Sequence, residues 1–85
     1  MLSLDQLSDR QVAIVERVSA GDPGITPDLL RRLSELGFLP GERVQITARG
    51  PLGGSPIAVR VGTSTFGLRL AEARSVLVRL ETASD

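Results

Sequence analysis

The chain has 85 residues, with ten basic and ten acidic side chains. Every basic residue is an arginine, because the sequence contains no lysine. Histidine and cysteine are also absent. The balanced charge argues against nucleic acid or an anionic membrane as a general partner. The absence of histidine and cysteine removes the usual general base, the thiolate nucleophile and the softer metal ligands, so we expect no enzyme, and any metal site would need oxygen ligands.

The length is enough for one compact domain, which we expect to span residues 1–85 with a polar tail at 81–85. No apolar stretch approaches the roughly 20 residues that cross a bilayer, and the N-terminus lacks the pattern of an export signal. We therefore expect a cytoplasmic protein without a membrane-inserted segment.

The first predicted element is a strand over residues 11–19, which are rich in β-branched side chains. The sequence Gly-Asp-Pro-Gly at 21–24 ends this strand in a turn. The sequence does not decide which face of this strand points inward, because Val12 and Ile14 lie on one face and Ala13 and Val15 on the other.

A helix of about ten residues follows. Thr26 is a suitable N-cap, Pro27 suits the first helical position, and Asp28 complements the helix dipole. One face of the helix is apolar and consists of Leu29, Leu30, Leu33 and Leu36. Gly37 can end the helix in a Schellman motif that packs Phe38 back on Leu33.

Three further strands are predicted after the helix. Pro40-Gly41 is typical of a type II turn, and Val44, Ile46 and Ala48 then alternate with polar residues. A loop at 50–56 leads to a strand at 57–61, so the two strands form a hairpin. The next strand contains the apolar residues Phe66, Leu68 and Leu70.

The chain ends with a helical turn at 71–74 and a strand at 75–80, whose predicted apolar residues are Val76, Val78 and Leu80. About five short antiparallel strands with one amphipathic helix must curl to bury a single apolar face. The predicted fold is therefore mainly β, a small SH3-like barrel, with a two-layer α+β sandwich as the alternative.

Three segments carry a resemblance to a known family. The sequence RLSELGFLPGERV at 32–44 resembles the Arg-Leu-x-Glu-Leu-Gly-Phe-x-Pro-Gly-x-x-Val signature of ferrous iron transport protein A (FeoA). Residues 54–62 resemble that family's Gly-x-Pro-hydrophobic stretch, and residues 68–73 resemble its Leu-Arg-x-x-Glu-Ala element. The family often has alanine before that element, where this chain has Gly67.

The resemblance implies a cytosolic accessory of the ferrous iron permease, ferrous iron transport protein B, whose cytosolic portion carries a GTP-binding domain. The chain also resembles the SH3-like C-terminal domain of iron-dependent repressors. This second likeness leaves an alternative function open, a divalent-metal-responsive accessory that holds metal through oxygen ligands. The resemblance implies no cofactor, and monomer and homodimer both stay open.

Three residues are candidates for partner contact. Leu39, between the helix end and the type II turn, is either core filling or an exposed contact. Arg49 is either a solvated strand-end residue or an arginine supplied in trans to the partner's GTPase centre. Leu52, at the predicted hairpin tip, is either an apolar contact or an ordinary surface leucine.

Other chemistry finds less support in the sequence. The glycine-rich residues 50–55 lack the lysine of a phosphate-binding P-loop, so GTP binding by the chain itself is not expected. The hydroxyls at 63–65 have no ordinary base to activate them. Asp5 and Asp9 could share a metal only if the N-terminus were helical, and solvated carboxylates are the plainer interpretation.

Overall fold

The computed structural model describes residues 2–51 and 53–81, which form six strands and two α-helices. The strands are β1 (Leu2–Ser3), β2 (Val12–Val18), β3 (Arg43–Gly50), β4 (Gly54–Val61), β5 (Ser64–Leu68) and β6 (Val76–Leu80). The helices are α1 (Pro27–Leu36) and α2 (Leu70–Ala73), and a short 3-10 helix covers Leu4–Gln6. All strand pairs are antiparallel in one sheet of order β1-β6-β2-β3-β4-β5. The mainly β prediction is confirmed.

Helix α1 begins and ends as its local sequence predicts. The hydroxyl of Thr26 accepts a hydrogen bond from the amide of Leu29 at 3.2 Å. At the other end Gly37 has φ 120°, its amide donates to Ser34, and the amide of Phe38 donates to the carbonyl of Leu33 at 3.1 Å. This pair of bonds is the Schellman motif.

The type II turn after the helix is also confirmed. The amide of Glu42 donates to the carbonyl of Leu39 at 3.0 Å, and Gly41 has φ 92°, the left-handed value that this turn requires of its third residue. The turn is joined to β2 because Val15 exchanges hydrogen bonds with Gly41 and Glu42, both at 2.8 Å. The chain therefore enters β3 in a fixed direction.

The core lies on one face of the sheet and is closed by α1 and the 3-10 helix. In β2 the ambiguity of face is resolved, since Ala13 and Val15 are fully buried while Val12 and Ile14 remain partly exposed. The fully buried side chains of largest volume are Phe38, Leu4, Leu33, Ile46 and Ile57.

Several details differ from the sequence predictions. The described chain has six strands rather than about five, because Leu2–Ser3 pairs with β6. Ala48, predicted to face the core, is exposed because the pairing of β3 with β4 shifts register between Ile46 and Ala48. Leu70 opens α2 instead of continuing β5, and Leu80 is 41% exposed near the end of β6.

Neither α-helix within residues 2–51 and 53–81 has the length and apolar character that a bilayer crossing demands.

Candidate partner-binding surfaces

Leu39 is an exposed contact candidate and not core filling. Its side chain is 47% exposed, whereas that of the preceding residue, Phe38, is 0% exposed and stacks at a tilt against Phe66 with 6.4 Å between ring centroids. The Schellman motif turns Phe38 inward, and the type II turn then begins with Leu39 on the outside. An apolar side chain is thus displayed on a turn whose backbone is fixed at both ends.

A groove of about 510 Å³ begins at the same turn. Gly41 and Glu42, the last two turn residues, lie at its rim, and it extends over the outer face of β2, β3 and β4. Register explains which side chains meet there, since Gln45 lies opposite both Val12 and Arg60. The lining residues are Val12, Gly41, Glu42, Arg43, Val44, Gln45, Arg60, Gly62 and Glu81.

The charges in this groove are of both signs. Arg43 forms an ion pair with Glu81 at 2.7 Å, with the arginine side chain 72% and the glutamate side chain 32% exposed. Within residues 2–51 and 53–81, Arg60 and Glu42 form no ion pair. The groove therefore presents one cation and one anion to solvent beside a small apolar floor.

Arg49 is held by its own chain. Its Nε lies 2.5 Å from the Oδ1 of Asp9, and its Nη2 donates to the backbone carbonyl of Leu7 at 2.6 Å. The arginine side chain is 32% exposed. These bonds fasten the end of β3 to the segment between the 3-10 helix and β2, so in this conformation the guanidinium is engaged rather than extended into solvent.

The predicted contact residues do not form one patch. Leu39 precedes β3 and Arg49 is near its end, so about 20 Å of strand separates them at roughly 3.3 Å per residue. Leu52 lies outside the described residues. The structure therefore separates a turn end of β3, at residues 39–43, from a hairpin end, at residues 49–51 and 53–54.

The two carboxylates considered for metal binding face different arginines. Asp5 accepts a hydrogen bond from the hydroxyl of Ser3 and lies 3.8 Å from the Nε of Arg74, whereas Asp9 binds Arg49. In the described part of the chain, no three residues of the histidine, cysteine, aspartate and glutamate types come together as a metal-binding group. Asp5 and Asp9 thus act here as ion-pair partners.

Sequence reasoning missed Arg43, Gln45 and Arg60 as members of one surface. The alternation of polar and apolar residues predicted that Arg43 and Gln45 lie on the solvent-exposed face of their strand. The position of Arg60 beside them depends on the pairing of β3 with β4. A signal was nevertheless available. Once the hairpin is predicted, residues of the two strands can be paired by counting outward from the loop. This count places Gln45 within one residue of its observed position opposite Arg60, and the β-bulge in β3 accounts for the difference.

Comparison with known proteins identifies the family. The sequence matches the family model of the FeoA domain over residues 2–80. No curated protein sequence matched the chain.

Solved structures with the same fold include FeoA proteins from two bacteria. The zinc-complexed FeoA of Stenotrophomonas maltophilia, described as an SH3 domain protein, is 42% identical with a TM-score of 0.80, over 93% of this chain and 91% of that one. The FeoA protein of Chlorobium tepidum is 26% identical with a TM-score of 0.81, over 99% of this chain and 74% of that one. The predicted SH3-like barrel is confirmed.

A manganese-dependent transcriptional repressor also contains this fold. It is 25% identical with a TM-score of 0.76, and the match covers 94% of this chain but 41% of the repressor. The predicted likeness to repressor domains is confirmed. The match to the FeoA model spans nearly the whole chain, and the chain therefore belongs to the FeoA family of small SH3-like accessory proteins associated with ferrous iron transport.

Proposed function

We propose that this protein is a cytosolic accessory of ferrous iron uptake that binds the cytosolic, GTP-binding part of the ferrous iron permease. The observation that supports binding most directly is the turn at residues 39–42. Its backbone is fixed by hydrogen bonds, and it exposes the side chain of Leu39 to solvent beside a groove. A rigid display of this kind reduces the entropy lost on association.

The turn end of β3 supplies the chemistry of a protein contact. Leu39 provides apolar area, and Arg60 and Glu42 provide one charge of each sign nearby. Apolar centres with polar rims are typical of protein interfaces, and charges of both signs fix the orientation of a partner. Leu39 is the contact residue that we propose on this basis.

Arg49 and Leu52 are proposed to contribute at the hairpin end. For Arg49 to act in trans it must leave Asp9 and the Leu7 carbonyl, and the partner must replace both bonds. Asp9→Asn weakens the hold on Arg49 without removing the arginine. If Arg49 serves the permease's GTPase, Asp9→Asn should preserve or raise the stimulated rate of GTP hydrolysis, whereas Arg49→Ala should abolish the stimulation.

The test of the main proposal is titration of the purified protein into the isolated cytosolic part of a cognate permease, reading association by calorimetry and GTP hydrolysis in parallel. Leu80→Ala is a matched control for Leu39→Ala, because these two are the large exposed apolar side chains of the described chain, at 41% and 47%. We expect Leu39→Ala to weaken binding roughly tenfold, as for loss of one contact side chain, and Leu80→Ala to leave it unchanged.

Saturable binding that depends on Leu39 would support the accessory function, and the hydrolysis rate would separate a regulator from a scaffold. No association with the permease at concentrations up to the solubility of either protein would refute the proposal. A titration with divalent metal tests the alternative, because saturable metal uptake without permease binding would favour a metal-responsive accessory like the repressor domains.

A further inference from the structure

The two edges of the sheet are unequal. The edge strand β1 is two residues long, whereas the opposite edge strand β5 has five residues and pairs only with β4 among the described strands. Exposed edges commonly carry charges, proline or bulges that prevent pairing with another chain. Strand β5, Ser-Thr-Phe-Gly-Leu, has neither charge nor proline, and its register with β4 is unbroken.

Turn geometry shows which backbone groups of β5 are free. The hairpin from β4 to β5 has the two-residue loop Gly62-Thr63, and Val61 lies opposite Ser64. Residues that flank a two-residue hairpin loop form a hydrogen-bonded pair, and such pairs alternate along the strands. The amides and carbonyls of Thr65 and Gly67 therefore point away from β4, toward the open edge.

The charged side chains on the strands at this edge are all arginines, and the carboxylate that follows them in sequence is that of Glu72, whose Oε1 accepts a hydrogen bond from the backbone amide of Arg69 at 2.8 Å. Residues 43–71, which contain β3, β4 and β5, include four arginines and no aspartate or glutamate. Arg43 and Arg49 are paired with Glu81 and Asp9 from outside this segment. Arg60 lies opposite Thr65 and Arg69 follows β5 directly, and neither forms an ion pair within residues 2–51 and 53–81.

A shallow depression adjoins the same edge. Register places Gly67 opposite Ala58 and Ala58 opposite Ala48 on the outer face, and these residues line an apolar groove of about 210 Å³. A Cβ atom built on Gly67 would meet nothing within 4 Å. The depression is therefore open where a strand added beside β5 would place a side chain.

We propose that the edge of β5 is the docking site for an extended, acidic segment of a protein partner. The added strand would bond to the free backbone groups of Thr65 and Gly67, set one large apolar side chain over Gly67, and place acidic side chains near Arg60 and Arg69. This mode of binding combines backbone hydrogen bonds for affinity with alternate side chains for specificity. The inference rests on the proposed function only in taking the partner to be a protein.

A second copy of this chain fits the edge less well. If two β5 strands pair about a two-fold axis, outward residues face outward residues, so Thr65 or Gly67 of the copy would lie opposite Gly67. Neither side chain fills the depression. The seam would also gather two copies of Arg60 and of Arg69, and like charges disfavour such pairing.

The first arm of the test uses a capped seven-residue peptide in which glutamate, phenylalanine and glutamate alternate with threonine, so that the three recognition side chains share one face. The peptide is titrated into ¹⁵N-labelled protein. We expect saturable shifts centred on the amides of Thr65 and Gly67 and slower hydrogen exchange at both. A peptide with alanine for phenylalanine, and another with lysine for both glutamates, should bind at least about tenfold more weakly.

Variants of the protein test the same contacts from the other side. The valine side chain of Gly67→Val would occupy the depression that the peptide's phenylalanine needs, so peptide binding should weaken roughly tenfold. Because a Cβ at this position meets nothing within 4 Å, the melting temperature should not fall. Arg60→Glu should weaken binding at least about threefold and make it less sensitive to salt. Arg32→Glu is the matched control, an exposed arginine on α1 without an ion pair among the described residues, and should bind as wild type does.

The second arm measures binding of the same variants to the cytosolic part of the permease. If the peptide requires Gly67 and Arg60 but the permease binds neither wild type nor any variant, the edge inference stands and the proposed function fails. If the permease binds wild type and Gly67→Val alike, the proposed function stands and the edge inference fails. Peptide shifts that map to another surface, or a dimer in sedimentation that Gly67→Val dissociates, would also overturn the inference.

Discussion

The two ends of β3 are fixed in different ways. At the turn end, every bond that orients the chain comes from residues close in sequence, apart from the exchange between the turn and Val15. At the hairpin end, Arg49 is bonded to Asp9, 40 positions away, and Gly50 lies against the backbone of the returning strand. Local sequence therefore describes the turn end well, while the hairpin end depends on how distant segments meet.

The sharpest way to test this contrast is at two adjacent residues of the turn end. Phe38→Ala should cost about 3–5 kcal/mol of unfolding free energy, because a fully buried aromatic ring is replaced by a cavity. Leu39→Ala should change it by less than about 0.5 kcal/mol, because the side chain is exposed. Urea denaturation of both variants measures the difference. Equal losses would show that Leu39 belongs to the core.

At the hairpin end, the largest effect is expected at Gly50. A Cβ there would lie 2.5 Å from the carbonyl oxygen of Ser55 and 2.8 Å from that of Pro56, and both are backbone atoms. Gly50→Ala should therefore cost about 1–3 kcal/mol, as for other overpacked sites.

Gly67→Ala is the control for Gly50→Ala in the same sheet. Its Cβ meets nothing within 4 Å, and replacing glycine at a compatible strand position should stabilise the protein by about 0.4–1 kcal/mol. Thermal melts of the two variants measure the effects, and a destabilised Gly67→Ala beside a neutral Gly50→Ala would reverse our account of this region.

A smaller loss is expected when the tie between Arg49 and the N-terminal segment is cut. Arg49→Ala removes one ion pair and one hydrogen bond to the Leu7 carbonyl, and should cost about 1 kcal/mol because the guanidinium is partly exposed. Asp9→Asn, which leaves the bond to Leu7, should cost less. Because salt screens partly exposed ion pairs, raising its concentration should reduce the difference in unfolding free energy between wild type and Asp9→Asn, measured by denaturant titration.

A small stabilising effect is expected at Arg10. Arg10 has φ 65° in the turn before β2, and its carbonyl accepts from the Nε2 of Gln45 at 2.7 Å. Glycine adopts this conformation without steric cost, so Arg10→Gly should stabilise the protein by about 0.5 kcal/mol after the added entropy of the unfolded chain is subtracted. A lower melting temperature would show that the arginine side chain stabilises the fold more than its backbone strains it.

Sequence reasoning succeeded where a signal and its structural effect lie within a few residues. Thr26, Gly37 and Gly41 each specify one local conformation, so both ends of α1 and the following turn could be predicted. The family signature at 32–44 contains the same glycines, which is why the resemblance and the local physics agreed on this part of the fold.

The failures have physical causes of a longer range. A two-residue strand such as Leu2–Ser3 has no periodicity to detect. The exposure of Ala48 follows from a register shift that the alternation of one strand cannot reveal. The engagement of Arg49 by Asp9 depends on packing between segments whose sequence separation gives no clue to their contact.

The order of strands in the sheet constrains how the chain folds. Strands β3, β4 and β5 are neighbours both in sequence and in space, so their pairing closes only short loops. Strands β1 and β2 both pair with β6, the last described strand, across most of the chain. In refolding from denaturant the β3–β5 meander can therefore assemble through local contacts, whereas the pairing of β1 and β2 with β6 must close most of the chain, and this long-range step should slow the folding of the protein.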